Sequence, residues 1–294
     1  LQRLNRDVLS NFPGVIMIAE ESTAWPNVTK PPSMGGLGFN FKWNMGWMND
    51  TLEYFSQDPY FRSYIHNKLT FAMSYAHSEN FILPISHDEV VHGKRSLLDK
   101  MPGDYDRKFA GLRSFMVYLM THPGKKLTFM GTELGQFIEW DEKRELDWML
   151  LDYEKHAGLK AYIRKLNRYY VKTPALWSDE CSFDCFRWID ADNSSDNVYT
   201  YFRTAKPGNT DNMVLIALNL SGRGFEQYNI GVPEGASFKC IINSEDKAFG
   251  GSLENTGKTG SIKVIKGECN GYAQHITVSL PPLSAVILER KSKK

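Results

Sequence analysis

The sequence predicts an α/β unit followed by an all-β unit: the C-terminal half of a (β/α)8 TIM barrel over residues 1–177, then an antiparallel β-sandwich over residues 178–294. In the first part, short apolar runs that stop at polar residues or glycine alternate with segments of helical length, which is typical of βαβ units around a parallel sheet. In the second part, short strand-like segments alternate with turn signals such as Asp192-Asn193-Ser194-Ser195, which is typical of a sandwich.

Each predicted element corresponds to a definite stretch of sequence. The parallel strands are predicted at 15–19, 38–43, 81–85 and 127–130, and the helices near 49–56, 59–76, 105–121 and 154–171, after an opening helix that ends near Asn11. The strands of the sandwich are predicted at 183–189, 198–203, 213–220, 237–242, 261–265, 275–280 and 284–288. Because four βα units make half of an eight-fold barrel, we expect the other half to come from residues upstream of Leu1 or from another chain.

Charge and composition exclude several classes of partner. The 294 residues carry 35 Lys+Arg against 34 Asp+Glu, a net charge of +1, which argues against nucleic acid and against an anionic membrane surface. No apolar stretch approaches the roughly 20 residues that span a bilayer. The four cysteines are interpreted as reduced thiols of a cytoplasmic protein. Cys181 and Cys185 lack a second pair at ligand spacing, so no zinc site is predicted.

Acidic residues follow three of the four predicted parallel strands. They are Glu20 or Glu21, Asp88 or Glu89, and Glu133. In parallel barrels the βα loops at the carboxyl ends of the strands build the active site. Glu20, where an apolar strand meets its loop, is suited by partial desolvation to hold and release a proton. Position alone does not choose between Glu20 and Glu21.

Other side chains near the strand ends are suited to binding a sugar. His87 could hold sugar hydroxyls together with Asp88, and aromatic rings could pack against the apolar faces of a sugar. Trp43 and Trp47 are the preferred aromatic candidates because they follow a strand end. His87, Glu89 and His92 do not have the spacing of a helical zinc motif, so neither a metal nor a cofactor is predicted.

Several motifs in the first 150 residues together resemble the 1,4-α-glucan (glycogen) branching enzymes, bacterial type, of the α-amylase superfamily. The resemblance is carried by Ala19-Glu20-Glu21-Ser22-Thr23, Met34-Gly35-Gly36-Leu37-Gly38-Phe39, Lys42-Trp43-Asn44-Met45-Gly46-Trp47-Met48, Leu83-Pro84-Ile85-Ser86-His87-Asp88-Glu89-Val90-Val91-His92-Gly93-Lys94, Met101-Pro102-Gly103-Asp104 and Phe129-Met130-Gly131-Thr132-Glu133. The β region matches this superfamily only in type. Asn40 departs from the family, where many relatives carry an aromatic residue, and this puts one stacking contact in doubt.

The resemblance implies a role for three of the candidates. Glu20 would be the general acid/base, Asp88 would stabilise the transition state, and His87 would contact substrate hydroxyls. The nucleophilic Asp of the family would lie upstream of Leu1. The reaction would be a retaining double displacement that cleaves an α-1,4-glucan and transfers the segment to form an α-1,6 branch in glycogen. We expect the 294 residues to be inactive alone.

Two alternatives stay open. One is another hydrolase of the α-amylase superfamily, such as a trehalose-releasing or debranching enzyme, although the His-Asp-Glu-Val-Val-His-Gly-Lys string argues against it. The other is a glucan-binding fragment without activity.

Overall fold

Four short parallel strands form the centre of the N-terminal part of the computed structural model. They are β1 (Ile18–Ala19), β2 (Phe41–Trp43), β3 (Phe81–Ile85) and β4 (Lys125–Thr128), and they lie side by side in that order. The structure describes residues 1–180, 182–206, 213–235, 237–254 and 261–290. The predicted parallel sheet is confirmed, but β1 and β2 are shorter than predicted and β4 begins two residues earlier. β1 is an edge strand, and Val15 and Ile16 before it are exposed.

Six α-helices accompany this sheet in the described part of the chain. They are α1 (Gln2–Asn11), α2 (Met45–Ser56), α3 (Asn67–Phe71), α4 (Leu97–Lys100), α5 (Tyr105–Thr121) and α6 (Glu154–Lys172). Helix α5 has the predicted bounds. Helix α2 begins earlier than predicted, because the Asn44 side chain accepts a hydrogen bond from the Trp47 backbone N–H and caps the helix at Met45.

The prediction of one continuous helix over residues 59–76 is wrong. The structure has a 3₁₀ turn at Arg62–Ile65, then α3, then a second 3₁₀ turn at Ala72–Ser74. The chain folds back after α2 so that the buried Arg62 guanidinium can donate to the carbonyls of Phe55 and Gln57, at 2.9 and 3.0 Å. Tight 3₁₀ turns accommodate this reversal where a straight helix could not.

The C-terminal part consists of two antiparallel sheets. Its strands are β5 (Phe186–Asp190), β6 (Val198–Arg203), β7 (Val214–Asn219), β8 (Phe225–Gly231), β9 (Phe238–Asn243), β10 (Ser261–Ile262), β11 (Val264–Cys269), β12 (Tyr272–Leu280) and β13 (Ser284–Arg290). One sheet has the order β10-β9-β13-β7-β6-β5, and the other β11-β12-β8. The predicted all-β unit is confirmed. Strand β8 was not predicted, since most of its residues are polar or exposed.

The six-stranded sheet is covered on both faces. Along β6, Val198 and Phe202 pack toward the three-stranded sheet, whereas Tyr199 and Tyr201 join the core shared with the helices. Alternate residues of a strand point to opposite faces, so every residue of β6 is buried. The same holds for β7. These strands therefore have apolar runs without alternation, like strands of a parallel sheet.

The boundary between the helices α2 and α5 and the six-stranded sheet, here called the seam, contains three buried arginines. Arg62 donates to the carbonyl of Leu220 at 3.0 Å, Arg113 to that of Ser244 at 2.6 Å, and Arg203 to that of Thr121 at 2.6 Å. Each is at most 1% exposed. A buried charge is tolerated only where it is hydrogen-bonded, so each pairing ties one unit to the other.

Aromatic and polar contacts continue the seam beside Arg62. The Tyr54 hydroxyl donates to Asn197 Oδ1 at 2.9 Å, and the His66 ring stacks on Tyr199 with a centroid distance of 4.2 Å. One hydrophobic cluster includes residues of both units, such as Phe55, Phe115, Tyr199, Ile216 and Ile287. The two units therefore share a core.

In the described part of the chain, no helix is both long enough and apolar enough to cross a membrane.

The buried His122 predicts that stability falls in acid. Its ring packs between Trp47 and Tyr118 at the end of α5, and its Nδ1–H donates to the Pro123 carbonyl. Burial lowers the pKa of His122 from 6.5 to about 3. Because the unfolded chain binds this proton first, the free energy of unfolding should fall by about 1.4 kcal/mol per pH unit from about pH 6.5 to 3 through this group. Urea titrations at several pH values should show a shallower fall for His122→Phe, and equal slopes would contradict the assignment.

Candidate active site at the carboxyl ends of the parallel strands

The ends of the four parallel strands gather the predicted site residues along one edge of the sheet. Glu20 directly follows β1, Trp43 is the last residue of β2, and His87 and Asp88 lie just beyond β3. Neighbouring strands are about 4.8 Å apart, so the ends of β1 and β3 are separated by about 10 Å. This distance is short enough for one or two sugar rings to contact the ends of both β1 and β3.

The structure separates the roles of Glu20 and Glu21. Glu21 Oε2 accepts a hydrogen bond from Lys42 Nζ at 2.5 Å, and its Oε1 accepts one from the Thr23 backbone N–H at 2.6 Å. Partial burial opposes ionisation, but these hydrogen bonds prevail and lower the pKa of Glu21. The Glu21 carboxylate therefore holds the loop through Lys42 and the Thr23 backbone.

Glu20 is exposed, and it has no hydrogen-bond or ion-pair partner among the residues that the structure describes. The partial desolvation expected of it is not provided by those residues. Because side chains alternate along an extended chain, Glu20 shares its face with Ile18, which is 45% exposed. The carboxylate is thus free to meet a substrate, beside an apolar surface that is itself uncovered.

A similar division separates Asp88 from Glu89. Glu89 is buried, and its Oε2 accepts the Ser86 backbone N–H at 2.5 Å, while the Ser86 side chain accepts the Asp88 N–H at 3.2 Å. This capping box fixes the turn after β3. The side chains of His87 and Asp88 are left about half exposed, 52% and 50%, with Nε2 and Oδ1 3.3 Å apart.

An aromatic cluster lies beside His87. The Phe129 and Trp140 rings are 5.9 and 6.4 Å from the His87 ring, and their own centroids are 5.0 Å apart at nearly a right angle. Both rings are partly buried. Phe129 was not among the predicted site residues, and Trp43 and Trp47 were the preferred aromatic candidates over Trp140. Phe129 belongs to one of the motifs that carry the resemblance, and both residues follow β4, the neighbour of β3.

The two predicted aromatic contacts differ in position. Trp43 is half-buried and lines a cavity of about 590 Å³ together with Trp25 and Lys42. Trp47 is fully buried, and its ring stacks on Tyr118 at 6.0 Å. The prediction that Trp47 contacts substrate is corrected by this packing. Trp47 lies in the first turn of α2, where its face of the helix is directed into the core.

Glu133, the remaining strand-end acid, lies elsewhere. It is in the 3₁₀ turn Thr132–Leu134 and lines a cavity of 430 Å³ formed largely by α6, with Lys160 and Arg164. The structure therefore does not place it with the groups at the ends of β1 and β3.

Two groups of residues were considered above as metal sites, Cys181 with Cys185 and His87 with Glu89 and His92. The described ranges contain no group of three or more His, Cys, Asp or Glu side chains that could hold a metal ion. Cys185 is a free buried thiol, and Cys181 lies outside the described residues.

Comparisons with known proteins define the class of fold. Residues 188–291 match the family described as alpha amylase, C-terminal all-beta domain. An alpha-amylase from Anoxybacillus superposes with a TM-score of 0.66 over 100% of this chain and 56% of its own, at 14% identity. A debranching enzyme from Nostoc punctiforme superposes with a TM-score of 0.63 over 98% of this chain and 53% of its own, at 16% identity. At this low identity the likeness concerns the fold: the chain has the fold of alpha-amylase-type proteins and carries their C-terminal all-beta domain.

Sequence comparison is more specific. The 1,4-alpha-glucan branching enzyme GlgB 1 of Clostridium perfringens is 48% identical over 291 residues, which are 99% of this chain and 43% of the relative. The branching enzyme GlgB of Halothermothrix orenii is 48% identical over 98% of this chain and 45% of its own length. The resemblance predicted from the motifs is confirmed, since nearly the whole chain is similar to bacterial 1,4-α-glucan branching enzymes. The chain spans less than half the length of these relatives.

The contrast between Trp43 and Trp47 can be measured directly. Trp47→Ala should reduce the free energy of unfolding by about 3–5 kcal/mol, because it empties a packed core position. Trp43→Ala should cost only about 1 kcal/mol, as expected for a residue that is partly exposed. Denaturant midpoints of the two variants test this. Equal losses would contradict the assignment of Trp47 to the core.

Proposed function

We propose that this chain supplies part of the active site of an enzyme that forms α-1,6 branches in an α-1,4-glucan. The proposal rests on the different contacts made by the two members of each acidic pair, Glu20–Glu21 and Asp88–Glu89. Glu21 and Glu89 are held by the backbone or by Lys42, whereas Glu20 and Asp88 are left exposed at the same edge of the sheet. The similarity to branching enzymes supports this choice of reaction.

Each exposed group has a role in a retaining double displacement. Glu20 protonates the glycosidic oxygen as the α-1,4 bond breaks, and then takes the proton from the 6-hydroxyl of the acceptor glucan as the α-1,6 bond forms. Asp88 stabilises the positive charge that develops at the sugar ring. His87 and Trp43 contact the glucan through hydroxyls and through a ring face. The nucleophilic carboxylate is assigned to no residue of this chain.

The parallel sheet is proposed to be the C-terminal half of a (β/α)8 barrel, within a domain that extends to residue 177. Both β1 and β4 are edge strands, and the apolar side chains of Ile16 and Ile18 are exposed beside β1. Unpaired edges of this kind are normally covered in a folded protein. An upstream half would pair with these edges, bury Glu20 partly and supply the nucleophile. Free thiols at Cys185, Cys240 and Cys269 are compatible with a cytoplasmic location.

A hydrolase is the second candidate, because solved alpha-amylase and debranching-enzyme structures share the fold. The two activities leave different products. A branching enzyme shifts the iodine stain of amylose without releasing reducing ends in proportion, whereas a hydrolase releases reducing sugar. Reducing sugar released in proportion to the loss of stain would favour the hydrolase.

Glu20→Gln should lower branching turnover in the full protein by several orders of magnitude, since general acid–base catalysis contributes about 10²–10⁴-fold in each step that it serves. Glu21→Gln is the matched neighbour. It should weaken the loop through the lost Lys42 pairing, but it should reduce turnover far less. Near-normal turnover in Glu20→Gln would refute the role of Glu20.

Residues 1–294 alone should not branch amylose, because the proposed nucleophile and the other half of the barrel are not among them. The iodine-stain assay on the purified chain tests this, with the full protein as the positive control. Turnover by the isolated chain would contradict the half-barrel proposal.

A further inference from the structure

The loop after the 3₁₀ turn at His87–Glu89 has an unusual backbone. His92, Gly93 and Arg95 have φ angles of +54°, +83° and +67°, in the left-handed region. Non-glycine residues adopt this conformation only where their surroundings hold them in it. Residues 92–95 are exposed, so packing in the core does not supply that constraint.

The constraint comes from Glu139, which follows the neighbouring strand β4. Its Oε2 accepts the Gly93 backbone N–H at 2.9 Å, and its Oε1 accepts the Arg95 N–H at 2.6 Å. Backbone N–H groups in such a bend form a concave site for an anion, and here a carboxylate of the same chain occupies it. The hydrogen bonds from Gly93 and Arg95 lower the pKa of Glu139 and so favour its carboxylate form.

The residue after Glu139 joins the same loop to the aromatic cluster. The Trp140 backbone N–H donates to the Val90 carbonyl at 3.0 Å, while its ring packs near Phe129 and His87. Residues 139–140 thus hold the loop at both ends, through Val90 and through the bend at 92–95. The exposed side chains of His92, Lys94 and Arg95 are carried by this loop, which Lys100 also holds by donating its Nζ to the Lys94 carbonyl.

We propose that Glu139 is a positioning residue, which clamps residues 92–95 and so fixes the loop beside His87 where the glucan chain lies. The inference rests on the proposed function and adds to it a determinant of glucan binding outside the two acidic pairs. Glu139 itself is not assigned a contact with the reacting atoms. When the clamp is absent, the loop samples other conformations, and glucan binds only to the fraction of molecules with the loop in place.

The test compares Glu139→Ala and Glu139→Gln with the wild-type full protein. Glu142→Gln is the matched control, since Glu142 is an exposed acid of the same segment with no hydrogen bond among the described residues. Two quantities are measured: hydrogen exchange of the Gly93 and Arg95 amides, and the KM and kcat for amylose. Glu139→Ala should lose amide protection and show a KM about tenfold higher, as expected if a tenth of the molecules keep the loop in place, with a smaller change in kcat.

Glu139→Gln retains one acceptor oxygen and should lie between the wild type and Glu139→Ala in both measurements, whereas Glu142→Gln should match the wild type. Unchanged amide protection in Glu139→Ala would overturn the clamp. Loss of protection at the Gly93 and Arg95 amides of Glu139→Ala, with an unchanged KM for amylose, would overturn the positioning role of Glu139. A wild-type full protein that does not act on amylose would refute the proposed function instead, and the exchange measurement distinguishes that failure from a failure of the clamp.

Discussion

Three arginine side chains that donate to backbone carbonyls across the seam are the constraint on which the rest of the structure depends. Arg62, Arg113 and Arg203 are buried, and each donates to a backbone carbonyl on the other side of the seam. Helix α5 packs against α6 and against β7 and β13 of the sandwich, and it is buried from Phe109 to Thr121. The sandwich therefore replaces solvent on the outer face of the helices that support the strand ends.

The support that the helices and the sandwich give to the sheet matters because side chains at and beside the strand ends are exposed. Glu20 is exposed, and the apolar Ile18 beside it is uncovered. The groups that shape the site are held instead by local polar contacts, such as the Lys42–Glu21 pair, the Ser86 capping box and the Glu139 clamp. In each of these contacts, a hydrogen-bonded side chain fixes the backbone of a loop in which other side chains are exposed. In both acidic pairs, the acid proposed to act on the substrate stands next to an acid that holds the local backbone.

Much of the fold could be predicted from the sequence, because strands such as β3 and β6 are rich in β-branched and aromatic residues. The segment 59–76 could not, since its course depends on where the Arg62 side chain is buried, and hydrophobic periodicity does not report that. The choice of Glu20 over Glu21 came from the motif, and its physical basis appears only with the Lys42 contact. Trp47 was misassigned because a tryptophan after a strand can face either the loop or the core of the following helix.

Because they share a core, we expect the parallel sheet and the β-sandwich to fold as one unit across the seam. Scanning calorimetry of residues 1–294 tests this most directly, because a shared core makes unfolding cooperative. We expect a single unfolding transition whose calorimetric enthalpy equals its van't Hoff enthalpy. Two resolved transitions, with the sandwich remaining folded after the parallel sheet has melted, would contradict it.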